Sequence, residues 1–211
     1  MIYGAVNQPV LVRLPRTATR VLDVGCGTGA LGRAIKGEFN CELVGVTYSE
    51  AEAESAAAHL DRVLVCDLND FEPEGLGEFD CVVCSHVLEH LYKPERLLKL
   101  LRRSLSSGGI LVVALPNVLH WRQRLEFLRG KFRYEDGGLM DRTHYRFYDW
   151  TTARALLTES GYAVLEGDAC GGFPLSRYIL KFGPWLDRAA LRLSPGAFGT
   201  QFIFVCRPEP A

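Results

Sequence analysis

The sequence lacks several features that would have assigned it at once. It has no run of about 18 apolar residues, so no membrane-spanning helix is expected. Neither sign of charge dominates: 24 Lys and Arg stand against 25 Asp and Glu, a formal net charge of −1. Proteins that bind nucleic acid usually show a strong basic excess, so nucleic acid is not an expected partner. The stretch Met1 to Leu14 has neither the basic start nor the long apolar run of a secretion signal, and a cytoplasmic location is expected. Internal repeats and low-complexity segments are also missing. Cysteine is present, but in an odd number, seven, scattered through apolar runs. That suits reduced, buried thiols better than a disulfide framework. Cys81 and Cys84 have CxxC spacing inside a β-like run. On a strand, residues three apart face opposite sides, so the two thiols read as core residues.

What the chain does have is alternation. Its 211 residues are 48% hydrophobic, enough for one full α/β domain. Strand-like runs fall at Val21 to Val24, Leu43 to Thr47, Val63 to Cys66, Cys81 to Cys84, Ile110 to Leu115, Ala163 to Glu166 and Gln201 to Cys206. Helical patterns fall between them, at about Ala30 to Lys36, Ser49 to His59, Pro94 to Leu105 and Thr151 to Ser160. Ser49 and Glu52 have the spacing of a capping box. Gly108-Gly109 reads as the end of the third helix and Gly161 as the end of the fourth. Strands alternating with helices imply a parallel sheet wound by right-handed crossovers. The stretch Phe173 to Phe198 reads as an insertion with helical character.

The first strand runs directly into Asp23-Val24-Gly25-Cys26-Gly27-Thr28-Gly29. Glycines let a backbone turn sharply and come close to a ligand. The helix that follows then points its first N–H groups at that ligand. Gly25, Gly27 and Ala30 also satisfy the loose GxGxx(G/A) pattern of dinucleotide enzymes. Against that reading, Asp23 would face a pyrophosphate unfavourably, whereas it suits a ligand with an ammonium group. No Asp or Glu closes the second strand, which ends at Thr47.

These residues resemble motif I of the class I S-adenosylmethionine-dependent methyltransferases. Phe79 to Leu91, with Asp80 and Ser85-His86-Val87-Leu88-Glu89-His90, is similar to the fourth-strand motif of that family, and Gly108 to Asn117 to its fifth strand. Asp141-Arg142-Thr143-His144-Tyr145-Arg146-Phe147-Tyr148 resembles a segment of a subgroup that includes MetW-like and small-molecule methyltransferases. The resemblance implies a Rossmann-like, doubly wound, mostly parallel seven-stranded sheet with helices on both faces, a C-terminal antiparallel strand and a helical lid or insertion. One domain would span 1–211, with a cofactor-binding half at 1–117 and a substrate-side half at 118–211. The implied cofactor is S-adenosylmethionine. Asp23 would meet its amino group. Gly25, Cys26, Gly27 and Gly29 would lie beneath methionine and ribose. Thr47 would take the ribose position usually held by an acid, with Glu50 near enough to compensate. Tyr48 would cover the adenine, Asp67-Leu68 would receive the adenine amino group, and Ser85 and His86 would border the cofactor. The implied activity is methyl transfer to a small-molecule acceptor, lipid- or sugar-linked acceptors included. The alternatives are a non-catalytic S-adenosylmethionine-binding partner protein of the MetW-like kind and an NAD-dependent oxidoreductase.

His86-Val87-Leu88-Glu89-His90 matches the HxxEH pattern of one zinc-protease group. It follows directly on a buried strand and precedes Pro94, which leaves little room for the helix that a protease needs. No third zinc ligand is apparent in the sequence. The same segment resembles quinone O-methyltransferases that use its acidic and histidine residues around a divalent metal, but His86 stands where their first acid would be. No metal is therefore expected, and Glu89 and His90 read as loop anchors. Acceptor-side candidates fall within His120 to Trp150, where Asp141, His144 and Arg146 are polar and Gly130, Gly137 and Gly138 permit motion. His144, Asp141 and His90 are the expected catalytic set, because an imidazole near neutral pH can accept a proton. Arg177, Lys181, Arg188 and Arg192, interleaved with apolar residues such as Trp185, could meet an anionic lipid or membrane surface, although Pro184 interrupts the run. Oligomeric state is not legible.

Overall fold

A computed structural model describes residues 6–174, 176 and 183–210. A seven-stranded sheet runs in the order β3-β2-β1-β4-β5-β7-β6. Its strands are β1 (Arg20–Val24), β2 (Glu42–Thr47), β3 (Arg62–Val65), β4 (Phe79–Ser85), β5 (Leu105–Pro116), β6 (Tyr162–Gly171) and β7 (Gly199–Pro208). β1, β2, β3, β4 and β5 pair in parallel, and β7 lies antiparallel between β5 and β6. This is the expected doubly wound fold with its single reversed C-terminal strand. The helices are α1 (Gln8–Leu11), α2 (Ala30–Glu38), α3 (Glu50–Ala56), α4 (Pro94–Arg102), α5 (Trp121–Leu128), α6 (Trp150–Glu159), α7 (Gly183–Leu193) and α8 (Pro195–Phe198).

Strand alternation builds two cores. Leu22, Val24, Val44, Val46, Val82 and Cys84 face one side, beneath α4 and α6. Val21, Leu43, Cys81 and Val83 face the other, with Leu31 and Ile35 of α2 and with Val10 and Leu11 of α1. Each fully buried Leu or Val of this kind contributes about 1.5–3 kcal/mol. Cys81 and Cys84 thus lie in opposite cores as free thiols, and burial pushes both above the ordinary thiol range.

Two expectations about local structure fail for identifiable reasons. Gly108-Gly109 does not end α4. The helix stops at Arg102, and both glycines belong to β5, where the register against β4 shifts between Phe79 and Cys81. Gly108, at φ +85°, allows that bulge. The capping box at Ser49 does not form: Ser49 makes no side-chain cap, and Glu52 turns to Thr47 instead. Pro184 sits in the first turn of α7, where proline lacks only a hydrogen bond that the helix does not need, so Arg188 and Arg192 share one helix behind it. Gly161 does follow α6, at φ +87°, and Asp149 with Thr152 caps that helix reciprocally.

Candidate functional site

The strand order reverses between β1 and β4, with β2 and β3 on one side and β5 on the other. Ligands in open α/β sheets bind in the crevice at such a point, outside the carboxyl ends of the strands. The glycine loop leaves β1 there. Gly25, Gly27 and Gly29 all have positive φ, at +75°, +52° and +82°. A Cβ on Gly25 would lie 2.3 Å from Val87 Cγ2, and one on Gly29 would lie 2.9 Å from Ala56 Cα. A Cβ on Gly27 would meet nothing within 4 Å. The outer two glycines are therefore packing requirements, and the middle one leaves backbone bare beside open space. Cys26 hydrogen-bonds through its N–H to Val46 O at 2.9 Å, while its side chain is buried in the core. Only its backbone can meet a ligand.

Asp23 ends β1 at 2% exposure, and its Oδ2 has no hydrogen-bond partner among the described residues. Burial pushes the carboxyl up to about 7. Leaving a buried acceptor unmatched costs about 1–3 kcal/mol, which a ligand donor would recover. At the end of β2, buried Thr47 donates its hydroxyl to Glu52 Oε2 at 2.5 Å. An acid thus reaches the end of β2 from the first turn of α3, Glu52, while Glu50 stands exposed beside it. Sequence reasoning assigned Glu52 to the cap; its spacing of five residues from Thr47 across a strand–helix turn was the available signal. Tyr48 is 74% exposed beside them. Beyond β3, Asp67 Oδ1 accepts from Asn69 N at 2.9 Å, and Leu68 packs against the core. Ser85 closes β4 and His86 follows it. Asn7 Nδ2 donates to Ser85 Oγ at 3.1 Å and to Gln201 Oε1 at 3.0 Å, so the segment before α1 and β7 both reach this rim. Neither Asn7 nor Gln201 was legible as a site residue.

His86 is the only described non-glycine residue with positive φ, at +57°. Such backbone strain concentrates at functional positions. Its Nδ1 lies 3.2 Å from Glu89 Oε1 and its Nε2 lies 2.7 Å from Gln201 Oε1. Burial works against its charge, but Glu89 and Gln201 outweigh burial and raise its pKa. The chain then makes a three-residue 3-10 turn, Leu88–His90. His86 precedes that turn, so His86 and His90 do not share a helix face, and the protease reading of HxxEH fails on geometry.

The third group lies past β5. The Glu89 carbonyl accepts from Tyr145 N at 2.8 Å and from Arg146 N at 3.1 Å, which docks the segment 141–146 onto the turn. Asp141 Oδ1 accepts from Thr143 N at 2.8 Å and from its hydroxyl at 2.7 Å. Thr143 Oγ1 is in turn 3.1 Å from His90 Nδ1. The rings of His90 and His144 stand edge to face with centroids 4.8 Å apart. Burial lowers the His144 pKa, the opposing charge of Glu89 notwithstanding. Arg146 is taken up elsewhere, donating to Tyr92 O at 2.7 Å. The three residues expected to be catalytic, Asp141, His90 and His144, are therefore brought into one cluster with Glu89.

A family model described as a methyltransferase domain matches residues 5–166. The chain belongs to this family. Its cofactor is S-adenosylmethionine, and the unmatched Asp23 oxygen, the bare Gly27 and the Thr47–Glu52 pair fit that cofactor's ammonium and ribose. Among curated proteins, the chain is 35% identical over 104 residues to the ubiquinone biosynthesis O-methyltransferase of Thiobacillus denitrificans, across 46% of this chain and 44% of that protein. It is 28% identical over 177 residues to the malonyl-[acyl-carrier protein] O-methyltransferase of Geobacter sulfurreducens, across 78% of this chain and 66% of that protein. The ubiquinone-type matches span about half the length of those relatives or less. A solved S-adenosylmethionine-dependent methyltransferase from Archaeoglobus fulgidus superposes with a TM-score of 0.67 at 20% identity, covering 97% of this chain and 95% of that one. That likeness concerns the fold.

Around this methyltransferase core, the segment expected to act as a lid carries α5, which buries none of its residues. Phe132 stacks on Phe127 of this helix, and Phe132, Tyr134 and Tyr145 are exposed. In the insertion, Arg188 and Arg192 lie exposed on α7. Arg177 and Lys181 lie outside the described residues. No helix among the described residues is long and apolar enough to cross a membrane.

Proposed function

We propose that the chain transfers the methyl group of S-adenosylmethionine to an oxygen of a small-molecule acceptor. S-adenosylmethionine supplies a methyl already activated on a sulfonium sulfur, so the protein's work is alignment, exclusion of water and management of one proton. Asp23 takes the ammonium. The backbone of Gly25, Cys26, Gly27 and Gly29 lies under methionine and ribose. Thr47 and Glu52 hold the ribose hydroxyls, Tyr48, Asp67 and Leu68 frame the adenine, and Ser85 and His86 mark the end where the methyl points. His90 and His144 form the polar wall for the acceptor hydroxyl, and Asp141 positions that wall through Thr143.

The observation that carries the acceptor assignment is the imidazole pair, buried His144 and half-buried His90, at the turn that follows β4. A hydroxyl acceptor must shed a proton, which groups of this kind can take at neutral pH, whereas a carboxylate acceptor arrives already ionised. The names of the curated relatives, both O-methyltransferases, support oxygen as the acceptor. The test is methyl transfer from labelled S-adenosylmethionine to a panel of phenols, carboxylates and amines. Label on a phenol or carboxylate oxygen is expected. Binding of S-adenosylmethionine with no transfer to any acceptor would favour a cofactor-binding partner protein, and label only on amines would remove the oxygen assignment.

Contact with an anionic lipid surface is a separate proposal, supported by α7. Trp185 and Leu193 are 62% and 86% exposed on the helix that carries exposed Arg188 and Arg192. Cosedimentation with anionic vesicles, lost on Arg188→Glu with Arg192→Glu, is the expected result. Equal recovery of wild type with neutral and anionic vesicles would end this reading.

A further inference from the structure

The third metal ligand that the sequence did not supply is supplied by the fold. Glu89, His90 and His144 bring one carboxylate oxygen and two ring nitrogens within 4.8 Å of one another. Two atoms of this group, Glu89 Oε2 and His144 Nδ1, are buried and have no hydrogen-bond partner among the described residues. Their residues are 0% and 7% exposed. Two buried, unmatched acceptors within one such group are a costly arrangement unless a ligand takes up their lone pairs. A cation does so.

The surroundings hold these groups as an outer shell holds metal ligands. His90 Nδ1 lies 3.2 Å from the Thr143 carbonyl oxygen and 3.1 Å from its hydroxyl, which Asp141 anchors. His144 has a backbone hydrogen bond at Leu139. Glu89 Oε1 is engaged by His86 at 3.2 Å. Imidazoles and carboxylates fixed in this way from behind are the usual supporting arrangement of a metal site. Tetrahedral ligands on zinc stand about 3.3 Å apart, so modest side-chain rotation closes the set.

We propose that Glu89, His90 and His144 bind one divalent transition-metal ion of the zinc type. Two imidazoles with one carboxylate favour such an ion over magnesium or calcium, which take mostly oxygen ligands. Three protein ligands leave a coordination position open to an acceptor oxygen. The site's existence does not depend on the methyltransferase reading; its role beside the acceptor does.

The test uses full-length protein stripped with a chelator and dialysed separately against zinc, cobalt(II) and magnesium, with metal content and the visible absorption of cobalt as readouts. One zinc or cobalt per chain is expected, with magnesium held about a hundredfold more weakly. His144→Asn and Glu89→Gln should each weaken zinc at least about tenfold, while His59→Ala should leave it unchanged. S-adenosylhomocysteine binding, measured on the same metal-free samples, reports folding and the cofactor pocket independently. Zinc well below one per chain, or zinc binding indifferent to His144→Asn in a variant that still binds S-adenosylhomocysteine, would overturn the site and leave the methyltransferase reading standing. Failure of wild-type protein to bind S-adenosylhomocysteine would strike that reading instead.

Discussion

From β1 to β4, the working atoms sit at strand ends or within a few residues of them: Asp23 closes β1, Thr47 closes β2 and Ser85 closes β4. On the acceptor side they arrive from far along the chain. His144 meets His90 across 54 residues of sequence, and Gln201 reaches His86 from the last strand. The first arrangement depends on backbone geometry, which glycine and strand period dictate locally. The second depends on a docked segment whose position is set by two N–H groups donating to one carbonyl, that of Glu89. The cofactor side should therefore be sensitive to backbone changes as well as to side-chain ones, and the acceptor side to side-chain changes.

The largest expected effect sharpens the contrast within the glycine loop. Gly25→Ala imposes positive-φ strain of about 1–2 kcal/mol and an overlap with Val87 costing about 1–3 kcal/mol more. Its thermal midpoint should fall by several degrees or more. Gly27→Ala incurs the strain alone, because a Cβ there meets nothing within 4 Å. It should remain folded yet lose cofactor affinity. Equal midpoints for the two variants would contradict the division between packing glycines and the ligand glycine.

Asp23→Asn comes next. Losing a charge-assisted bond of about 1.5–3 kcal/mol should weaken S-adenosylhomocysteine about tenfold to a hundredfold in a calorimetric titration. The pH dependence follows from the same carboxyl, which burial raises to about 7. An ammonium selects the ionised form, so affinity should rise with pH through about 7 and level off above it, being about tenfold weaker at pH 6 than at pH 8. Stability of the ligand-free protein should run the other way. The folded state keeps a proton on Asp23 that the unfolded chain loses near the ordinary carboxylate value, so stability falls as pH rises between that value and about 7. Asp23→Asn should flatten both profiles. The smallest effect is at Glu52→Gln, where weakening of one ribose contact should cost about 0.5–1.5 kcal/mol of cofactor affinity.

This contrast also explains what the sequence made legible. The parallel sheet, the glycine loop and Asp23 follow from patterns a few residues long, whereas the reversed C-terminal strand came only with the family resemblance. The Thr47–Glu52 pair was missed because Glu52 satisfied a capping rule equally well on paper, and the choice was made by the buried hydroxyl of Thr47. Gly108-Gly109 was misplaced for a similar reason: two glycines end a helix or kink a strand, and only pairing with β4 decides. Asn7, Gln201 and the meeting of His90 with His144 depend on which strands become neighbours, and no local pattern encodes that. The segment 141–148 stood out as a motif, but its partner, the Glu89 carbonyl, did not.

The most direct test of this division of labour is a paired measurement on His144→Ala: affinity for S-adenosylhomocysteine and rate of methyl transfer to the best acceptor, each against wild type. Cofactor affinity should be unchanged within about twofold while transfer falls about a hundredfold or more. A parallel loss of both, or full transfer with His144 absent, would contradict the assignment of the two halves.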